Sequence, residues 1–390
     1  MEKTMKKIKL MNKIAAVGTD IFDRSIYNVG EDAEKADAIM VRSASLHEME
    51  FNPELEAIAR CGAGVNNIPV DVCTEKGVVV FNTPGANANG VKELAICALI
   101  LAARDVVGGI DWVKTLKGQE GVAKLVEKGK SAYVGGELVG KTLGVIGLGA
   151  IGGMVANAAN ALGMNVIGYD PYLTANAAWN LAPSIKQASS YDDIYKSCDY
   201  ISLHVPATPT TKNMICEKTI SMMKDGVKII NLARADLVCA DDIKKALNDK
   251  KVSVYITDFP TDATVGENGI INIPHLGAST LESEDKCAVM AAKQLDEYLQ
   301  TGNIKNSVNF PNVSLPHTGA GRVAVMHKNI PNMLSQITAA FSNKGVNIEN
   351  LANGSKGDMA YTIVEITDAP SAEFVEAVSA IEGVIKVKTY

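Results

Sequence analysis

Short apolar runs alternate with longer polar, helix-patterned stretches along most of this chain. Short apolar runs bounded by turn residues predict buried strands; longer amphipathic stretches predict helices between them. In the first quarter, residues 13–17, 38–41, 57–60 and 78–81 read as strands of a small parallel α/β unit. Residues 91–103 form a strongly apolar helical stretch. A polar helix and loop follow over 105–140, where Lys114, Lys117, Lys124, Lys128 and Lys130 read as a solvated face. The alternation then resumes, with strands at 143–146, 165–169, 200–204, 227–232, 252–256 and 270–273. Helices at 154–162, 189–197 and 241–249 separate them, and a long amphipathic helix spans 280–301.

Residues 302–321 are rich in Gly, Asn and Pro, which marks a boundary. Beyond it the pattern is strand 323–327, helix 333–342, strand 346–351, a turn at Asn353-Gly354, strand 359–366, helix 371–380 and strand 384–388. That order, βαββαβ, is the ferredoxin-like arrangement. A sheet of that size often associates with a copy of itself.

One stretch joins pattern to chemistry. The apolar run 143–146 is followed by Gly147, Gly149 and Gly152 in the spacing G-x-G-x-x-G, then a helix, a second strand and Asp170. This is the context in which such a triplet binds a dinucleotide. Gly147 permits the tight turn, Gly149 lets the backbone approach a pyrophosphate, and Gly152 lets helix and strand pack closely. The helix N-terminus offers N–H groups to the phosphates. Asp170 accepts from a ribose 2′-hydroxyl and repels a 2′-phosphate, which favours NAD over NADP.

Several later strands end in polar groups on one rim. His204, Arg234, Asp258 and His275 all fall just past apolar runs. Hydride exchange between a nicotinamide and a hydroxy acid needs a cation for the carboxylate and a group that titrates near neutrality. Arg234 and His275 fit, since arginine grips carboxylates bidentately and histidine titrates nearest physiological pH. Both also have ordinary structural readings, as a surface ion-pair partner and a capped polar group. His204 is a rival that more readily lines the crevice or the core. A carboxylate that tunes the histidine is open among Asp258, Asp262 and Glu267. Two further loops, 60–67 and 82–90, are rich in Gly and Asn at strand ends, where either ligand binding or plain turn chemistry places such residues.

Composition narrows the classes. With 390 residues, two or three domains are expected. Hydrophobic content of 47% and charged content of 21% are ordinary for a globular protein. Net charge is −6, and the basic residues at the very start form the sole basic block, so nucleic-acid binding is not indicated. No apolar h-region follows those residues, which argues against a signal peptide, and the run 94–103 is too short to span a bilayer. A cytoplasmic protein is expected. The seven cysteines contain no C-x-x-C pair, so neither a disulfide framework nor a metal site is expected.

Three stretches carry a resemblance. They are 140–152 (GKTLGVIGLGAIG), 231–234 (NLAR) and 274–280 (PHLGAST), and they resemble the D-isomer-specific 2-hydroxyacid dehydrogenase family. The C-terminal unit, with His327-Lys328-Asn329-Ile330-Pro331 and Gly345-Val346-Asn347-Ile348, resembles an ACT regulatory domain. The resemblance implies an α/β fold. A Rossmann-type NAD-binding domain (99–280) would be inserted in a flavodoxin-like substrate domain (1–98 and 281–312), with the ACT domain over 320–390.

It also implies roles. Arg234 would clamp substrate, His275 would be the general acid/base, and Asp262 would support it. NAD would contact Gly147, Gly149, Ala150, Ile151, Gly152, Asp170, Leu232, Ala233, Arg234, Asp258, His275, Gly277 and Ala278. Arg60, Gly62, Ala63, Gly64 and Asn87 would meet substrate, Arg60 its phosphate. His327, Asn329 and Asn347 would bind an L-serine effector across a paired interface. The implied reaction is oxidation of 3-phospho-D-glycerate on the route to L-serine, in a homodimer or homotetramer. The alternatives are another D-2-hydroxy acid (2-hydroxyglutarate, glycerate) or a catalytically weakened NAD or amino-acid sensor. Three positions depart from the family pattern: Asp262 stands for Glu in a segment one residue shorter, Asn332 for Gly, and Ala150 for Arg.

Overall fold

The computed structural model describes residues 5–317 and 321–390. The first four residues and 318–320, the end of the expected linker, lie outside the described residues. The chain forms two compact units, 1–87 with 284–390, and 88–283. An expected boundary at 98/99 would fall inside the continuous helix Ala88–Ala103.

In the first unit a five-stranded parallel sheet contains β1 (Lys6–Met11), β2 (Tyr27–Gly30), β3 (Ala38–Val41), β4 (Ala57–Arg60) and β5 (Val79–Phe81). Their order, β2-β1-β3-β4-β5, is the flavodoxin-like one. The first strand lies earlier than the sequence predicts. Residues 13–17 are not a strand: Asn12 adopts a left-handed φ of 73° that ends β1, and Ala16–Thr19 begins a short helix. The basic residues Lys6, Lys7 and Lys9 are strand residues around the fully buried Ile8, so the lysines masked the strand. The short strand β2, flanked by polar turns, went unpredicted.

The second unit holds seven parallel strands: β6 (Thr142–Ile146), β7 (Asn165–Tyr169), β8 (Lys186–Gln187), β9 (Tyr200–Leu203), β10 (Val227–Asn231), β11 (Val252–Thr257) and β12 (Ile270–Asn272). They run β12-β11-β10-β9-β6-β7-β8, a doubly wound order with its switch point between β6 and β9. Apolar strand residues such as Val145, Ile146, Ile201 and Ile230 are fully buried between helices on both faces.

The C-terminal sheet is antiparallel: β13 (Gly321–Lys328), β14 (Ile348–Lys356), β15 (Met359–Ile366) and β16 (Val384–Thr389), in the order β14-β15-β13-β16. With the helices Met333–Asn343 and Ala372–Ser379 this is the expected βαββαβ unit. No turn forms at Asn353-Gly354. The strand β14 runs through both residues, and the hairpin turns at Gly357, whose φ of 58° suits a glycine.

The stretch rich in Gly, Asn and Pro is built into the first unit rather than left as a loose connector. Asn309 is buried; its Oδ1 accepts from the Val80 N–H at 2.9 Å and its Nδ2 donates to the Val78 carbonyl at 2.9 Å. Val308 donates to the Val80 carbonyl at 2.8 Å, so this segment covers the edge of β5. Ala324, Met326, Tyr361 and Ile363, on one face of the antiparallel sheet, share a core with Phe81, Leu295, Tyr298 and Phe310. Arg322 is fully buried, pairs with Glu365, and donates to the Leu315 carbonyl at 2.7 Å and to Asn303 Oδ1 at 3.2 Å.

Candidate active site

Because all strands of the seven-stranded sheet are parallel, their carboxyl ends share one rim. Gly147 follows β6 with a φ of 88°, and a Cβ there would lie 2.5 Å from the His204 carbonyl oxygen. A Cβ on Gly152 would lie 1.9 Å from the Gly147 carbonyl oxygen. Neither position accepts another residue without moving backbone. Gly149 differs: it caps the helix Ala150–Ala161, and nothing lies within 4 Å of where its Cβ would be. That open space beside a helix N-terminus fits a pyrophosphate pressed against backbone. Gly149 and Ala150 are exposed and Ile151 half-buried at its edge.

Asp170 follows β7 and is tied to this turn. Its Oδ2 accepts from the Leu148 N–H at 2.9 Å and its Oδ1 from the Tyr172 N–H at 2.8 Å. Each oxygen keeps a lone pair for a ribose hydroxyl. His204 follows β9, with Nε2 2.8 Å from Ser202 Oγ, and burial pushes its imidazole down to about 4. It is therefore neutral at physiological pH and does not serve as a proton acceptor titrating there.

Arg234 follows β10 on a turn built by Asn231. The fully buried Asn231 accepts on Oδ1 from the N–H groups of Ala233 at 3.1 Å and Arg234 at 3.3 Å. Its Nδ2 donates to the Arg234 carbonyl at 2.8 Å and to the Tyr255 hydroxyl at 3.2 Å. Leu232 is buried beneath, and Arg234 is exposed. Its Nη1 donates to the Ala233 carbonyl at 2.6 Å, and its guanidinium carbon stands 5.6 Å from the centre of the Phe259 ring.

His275 follows β12 and is exposed, with a φ of 38°, an uncommon conformation for a side-chain-bearing residue. Its N–H donates to the carbonyls of Asp258 and Ile273, both at 3.0 Å. Its ring centre is 4.6 Å from that of Phe259. Asp258, 1% exposed, accepts the Gly277 N–H on Oδ2 at 3.2 Å, while its buried Oδ1 has no partner among the described residues. Burial pushes its carboxyl up; the Gly277 N–H and the charges of His275 and Arg234 oppose this. A buried carboxylate oxygen in need of a donor fits a nicotinamide-type amide or an imidazole N–H. Ala278 is half-buried beside Gly277.

The expected pairing of Asp262 with His275 does not occur. Asp262 is exposed, on a turn closed by Thr264 Oγ1 accepting the Thr261 N–H at 2.9 Å, and no hydrogen bond or ion pair joins it to His275 among the described residues. Glu267 is likewise exposed. Phe259 and Asn231 carry no expected role in the sequence, although Asn231 opens the NLAR stretch. Asn231 had a signal, since an Asn three residues before an Arg at a strand end is an Asx-type brace; Phe259 had none.

In the first unit, the Arg60 guanidinium folds over Gly62, where a Cβ would lie 1.5 Å from Nη1. Thr83 N–H donates to the Gly62 carbonyl at 3.1 Å and Asn82 Nδ2 to the Ala63 carbonyl at 2.7 Å, so the loops carrying Ala63, Gly64 and Asn87 brace each other. In the βαββαβ unit His327 is 2% exposed, with Nδ1 2.9 Å from the Lys328 carbonyl and Nε2 2.9 Å from Thr362 Oγ1. Asn329 Nδ2 donates to the Gly357 carbonyl at 3.1 Å and Asn347 is exposed; no hydrogen bond joins the three among the described residues. Asn332, the departure from Gly, takes a φ of 68° that glycine would adopt freely. Among the described residues no cluster of His, Cys, Asp and Glu could hold a metal, and no helix is long and apolar enough to cross a membrane.

A doubly wound sheet with a phosphate-cradling turn at its switch point, and a guanidinium and an imidazole on the same rim, defines a dinucleotide-binding oxidoreductase domain. Residues 96–277 match the NAD-binding domain of the D-isomer-specific 2-hydroxyacid dehydrogenases, and residues 323–386 match an AHAS small subunit-like ACT domain. The chain is 31% identical over 354 residues to D-3-phosphoglycerate dehydrogenase of Haemophilus influenzae, covering 87% of this chain and 82% of that one. It is 35% identical over 292 residues to the enzyme of that name from Methanocaldococcus jannaschii, covering 73% of this chain and 53% of the other, so it spans about half of that relative's length. The NAD+-bound 3-phosphoglycerate dehydrogenase of Entamoeba histolytica superposes with a TM-score of 0.61 at 27% identity, over 78% of this chain and 99% of that one. The chain belongs to the D-isomer-specific 2-hydroxyacid dehydrogenase family.

Proposed function

We propose that this protein oxidises 3-phospho-D-glycerate to 3-phosphohydroxypyruvate with NAD, the first step of L-serine synthesis. The observation that carries the reading is Arg234 and His275 packed against one phenyl ring, on the rim that also holds the glycine turn. The names of the H. influenzae and M. jannaschii relatives support the substrate.

When bound, NAD supplies the acceptor for the hydride that leaves C2. The residues to hold it are Gly147 to Gly152 at the phosphates, Asp170 at the ribose, and Leu232, Ala233, Asp258, Gly277 and Ala278 toward the nicotinamide. Arg234 swings from the Ala233 carbonyl to grip the substrate carboxylate. His275 takes the C2 hydroxyl proton as the carbonyl forms, so the substrate loses a hydride and a proton and the imidazole ends protonated. Asp258, rather than the exposed Asp262, is the carboxylate that steadies this imidazolium. Arg60 reads the phosphate. The substrate domain comprises 1–98 and 281–312 and the NAD domain 99–280, while the 320–390 region is an effector domain for a small amino acid, L-serine first. The exposed Val106, Val107, Ile110 and Val113 on the helix Val106–Thr115 support a homodimer or homotetramer.

The test is NADH formation from a panel of 3-phosphoglycerate, glycerate and 2-hydroxyglutarate, with a carbonyl trap, with and without L-serine. The proposal expects 3-phosphoglycerate to be preferred, His275→Ala to lose on the order of 10²–10⁴-fold in kcat, and Arg60→Ala to erase the preference for the phosphorylated acid. Silence on 3-phosphoglycerate overturns it. Turnover of another D-2-hydroxy acid instead would point to the alternative substrate.

A further inference from the structure

We propose that Phe259 is a positioning residue that sets the spacing and orientation of Arg234 and His275. The proposal rests on the dehydrogenase reading above for its kinetic arm only.

Phe259 is half-buried two residues past the end of β11. Its N–H donates to Thr257 Oγ1 at 3.1 Å, and Thr257 is itself 1% exposed, so the backbone under the ring is fixed. Asp258, next to it, holds the His275 turn at two points: its carbonyl takes the His275 N–H and its Oδ2 takes the Gly277 N–H. The ring then meets both functional side chains. The Arg234 guanidinium stands 5.6 Å from its centre, within cation–π range. The His275 ring lies 4.6 Å away at an interplanar angle of 45°. A dipeptide thus fixes the backbone of one functional residue and the side chains of two.

The physical consequence concerns charge. Arg234 is a permanent cation, and His275 becomes one when it takes the proton. No hydrogen bond or ion pair joins Asp262 to the imidazole among the described residues, and the buried Asp258 carboxylate is the group that couples in charge to both His275 and Arg234. The phenyl ring packs against both the guanidinium and the imidazole, so its bulk limits where each can move and its π-system attracts the cation it meets. Removing the ring frees the imidazole rotamer and lets the guanidinium approach, which disfavours the protonated imidazole.

The experiment uses the full chain with Phe259→Leu, Phe259→Ala and Phe259→Tyr. NAD affinity by fluorescence titration checks folding, and the His275 imidazole is titrated by NMR. The proposal expects Phe259→Leu and Phe259→Ala to bind NAD as the wild type does, with the His275 titration moved to lower pH by roughly half a unit or more, and Phe259→Tyr to restore it. In the kinetic arm kcat should fall by up to about 10²-fold, as expected for a displaced reacting group, with KM for NAD unchanged. An unmoved titration in Phe259→Leu overturns the proposal whether or not the wild type oxidises any hydroxy acid. Inactivity of the wild type on every acid overturns only the functional reading. If Phe259→Ala does not fold, Phe259→Leu alone decides.

Discussion

The Asn231 side chain closes a ring with Arg234, donating to its carbonyl at 2.8 Å and accepting its N–H at 3.3 Å. The functional arginine is therefore aimed by a residue that no solvent reaches. Asn231→Ala would leave the Tyr255 hydroxyl and the Arg234 carbonyl short of a donor, at a cost of about 1–3 kcal/mol. Denaturant midpoints should fall accordingly, and KM for the hydroxy acid should rise, since the guanidinium proposed to grip the carboxylate loses its aim. Asn231→Asp, which keeps the acceptor and loses the donor, should fall between the two.

Asp258 and Asp262 separate cleanly by mutation. Asp258→Asn should lower kcat on the order of tenfold or more, a fraction of the full value of an acid–base group. Asp262→Asn should leave kcat near the wild-type value, because its carboxylate is exposed and joined to no imidazole. Steady-state kinetics of the two variants side by side decides; the reverse ranking would return the supporting role to Asp262.

His204 should stay neutral through the weakly acidic range. Burial holds its folded-state value near 4, below the ordinary 6.5. Between those values the unfolded chain binds a proton that the folded chain does not, so this residue makes stability fall as pH drops from about 6.5 to 4. An NMR titration should show one imidazole still neutral at pH 5. His204→Asn should flatten the loss of Tm across that window and leave the neutral-pH limb of the rate profile in place.

Lys388, on β16, gives the opposite end of the scale. Its ammonium pairs with Glu56 and stands 4.9 and 4.4 Å from the ring centres of Tyr298 and Tyr390. Burial pushes it down to about 7, Glu56 opposing and Lys6 assisting. From there to the ordinary value near 10.5 the unfolded chain holds the extra proton, so this group makes stability rise with pH above 7. Comparing Tm at pH 7 and 9 in wild type and Lys388→Met isolates the contribution from the buried cysteines, whose raised values act in the reverse sense. The variant should lose the rising component.

The parallel sheets were legible because buried strands such as 143–146 and 200–203 are written as short, predominantly apolar runs. The glycine turn was legible because its spacing and flanks are dictated by close backbone approach at Gly147 and Gly152. The first strand was hidden because its outward positions are lysines, which overrode a single buried Ile8. Arg234 and His275 stand out by chemistry at strand ends, and the structure places both on the carboxyl rim of the parallel sheet. Their organiser was not, because Phe259 matters through which rings happen to fold against it, a tertiary fact with no local pattern. Asp262 was misplaced for a related reason. A one-residue shortening changes where a turn closes, and the direction of an exposed side chain follows from that closure rather than from residue type.

The shared core of the first unit has a bearing on how this protein can be taken apart. Ala324, Met326, Tyr361 and Ile363 are covered by residues from outside the βαββαβ unit, and Arg322 spends its donors on Leu315 and Asn303 upstream of it. Cutting the chain near residue 320 would strip a hydrocarbon face on each fragment and, on the C-terminal one, deprive the Arg322 guanidinium of its Leu315 and Asn303 acceptors. Neither half is a cassette that can be exchanged or studied alone, and the part played by the βαββαβ unit is better sought by point substitution than by truncation.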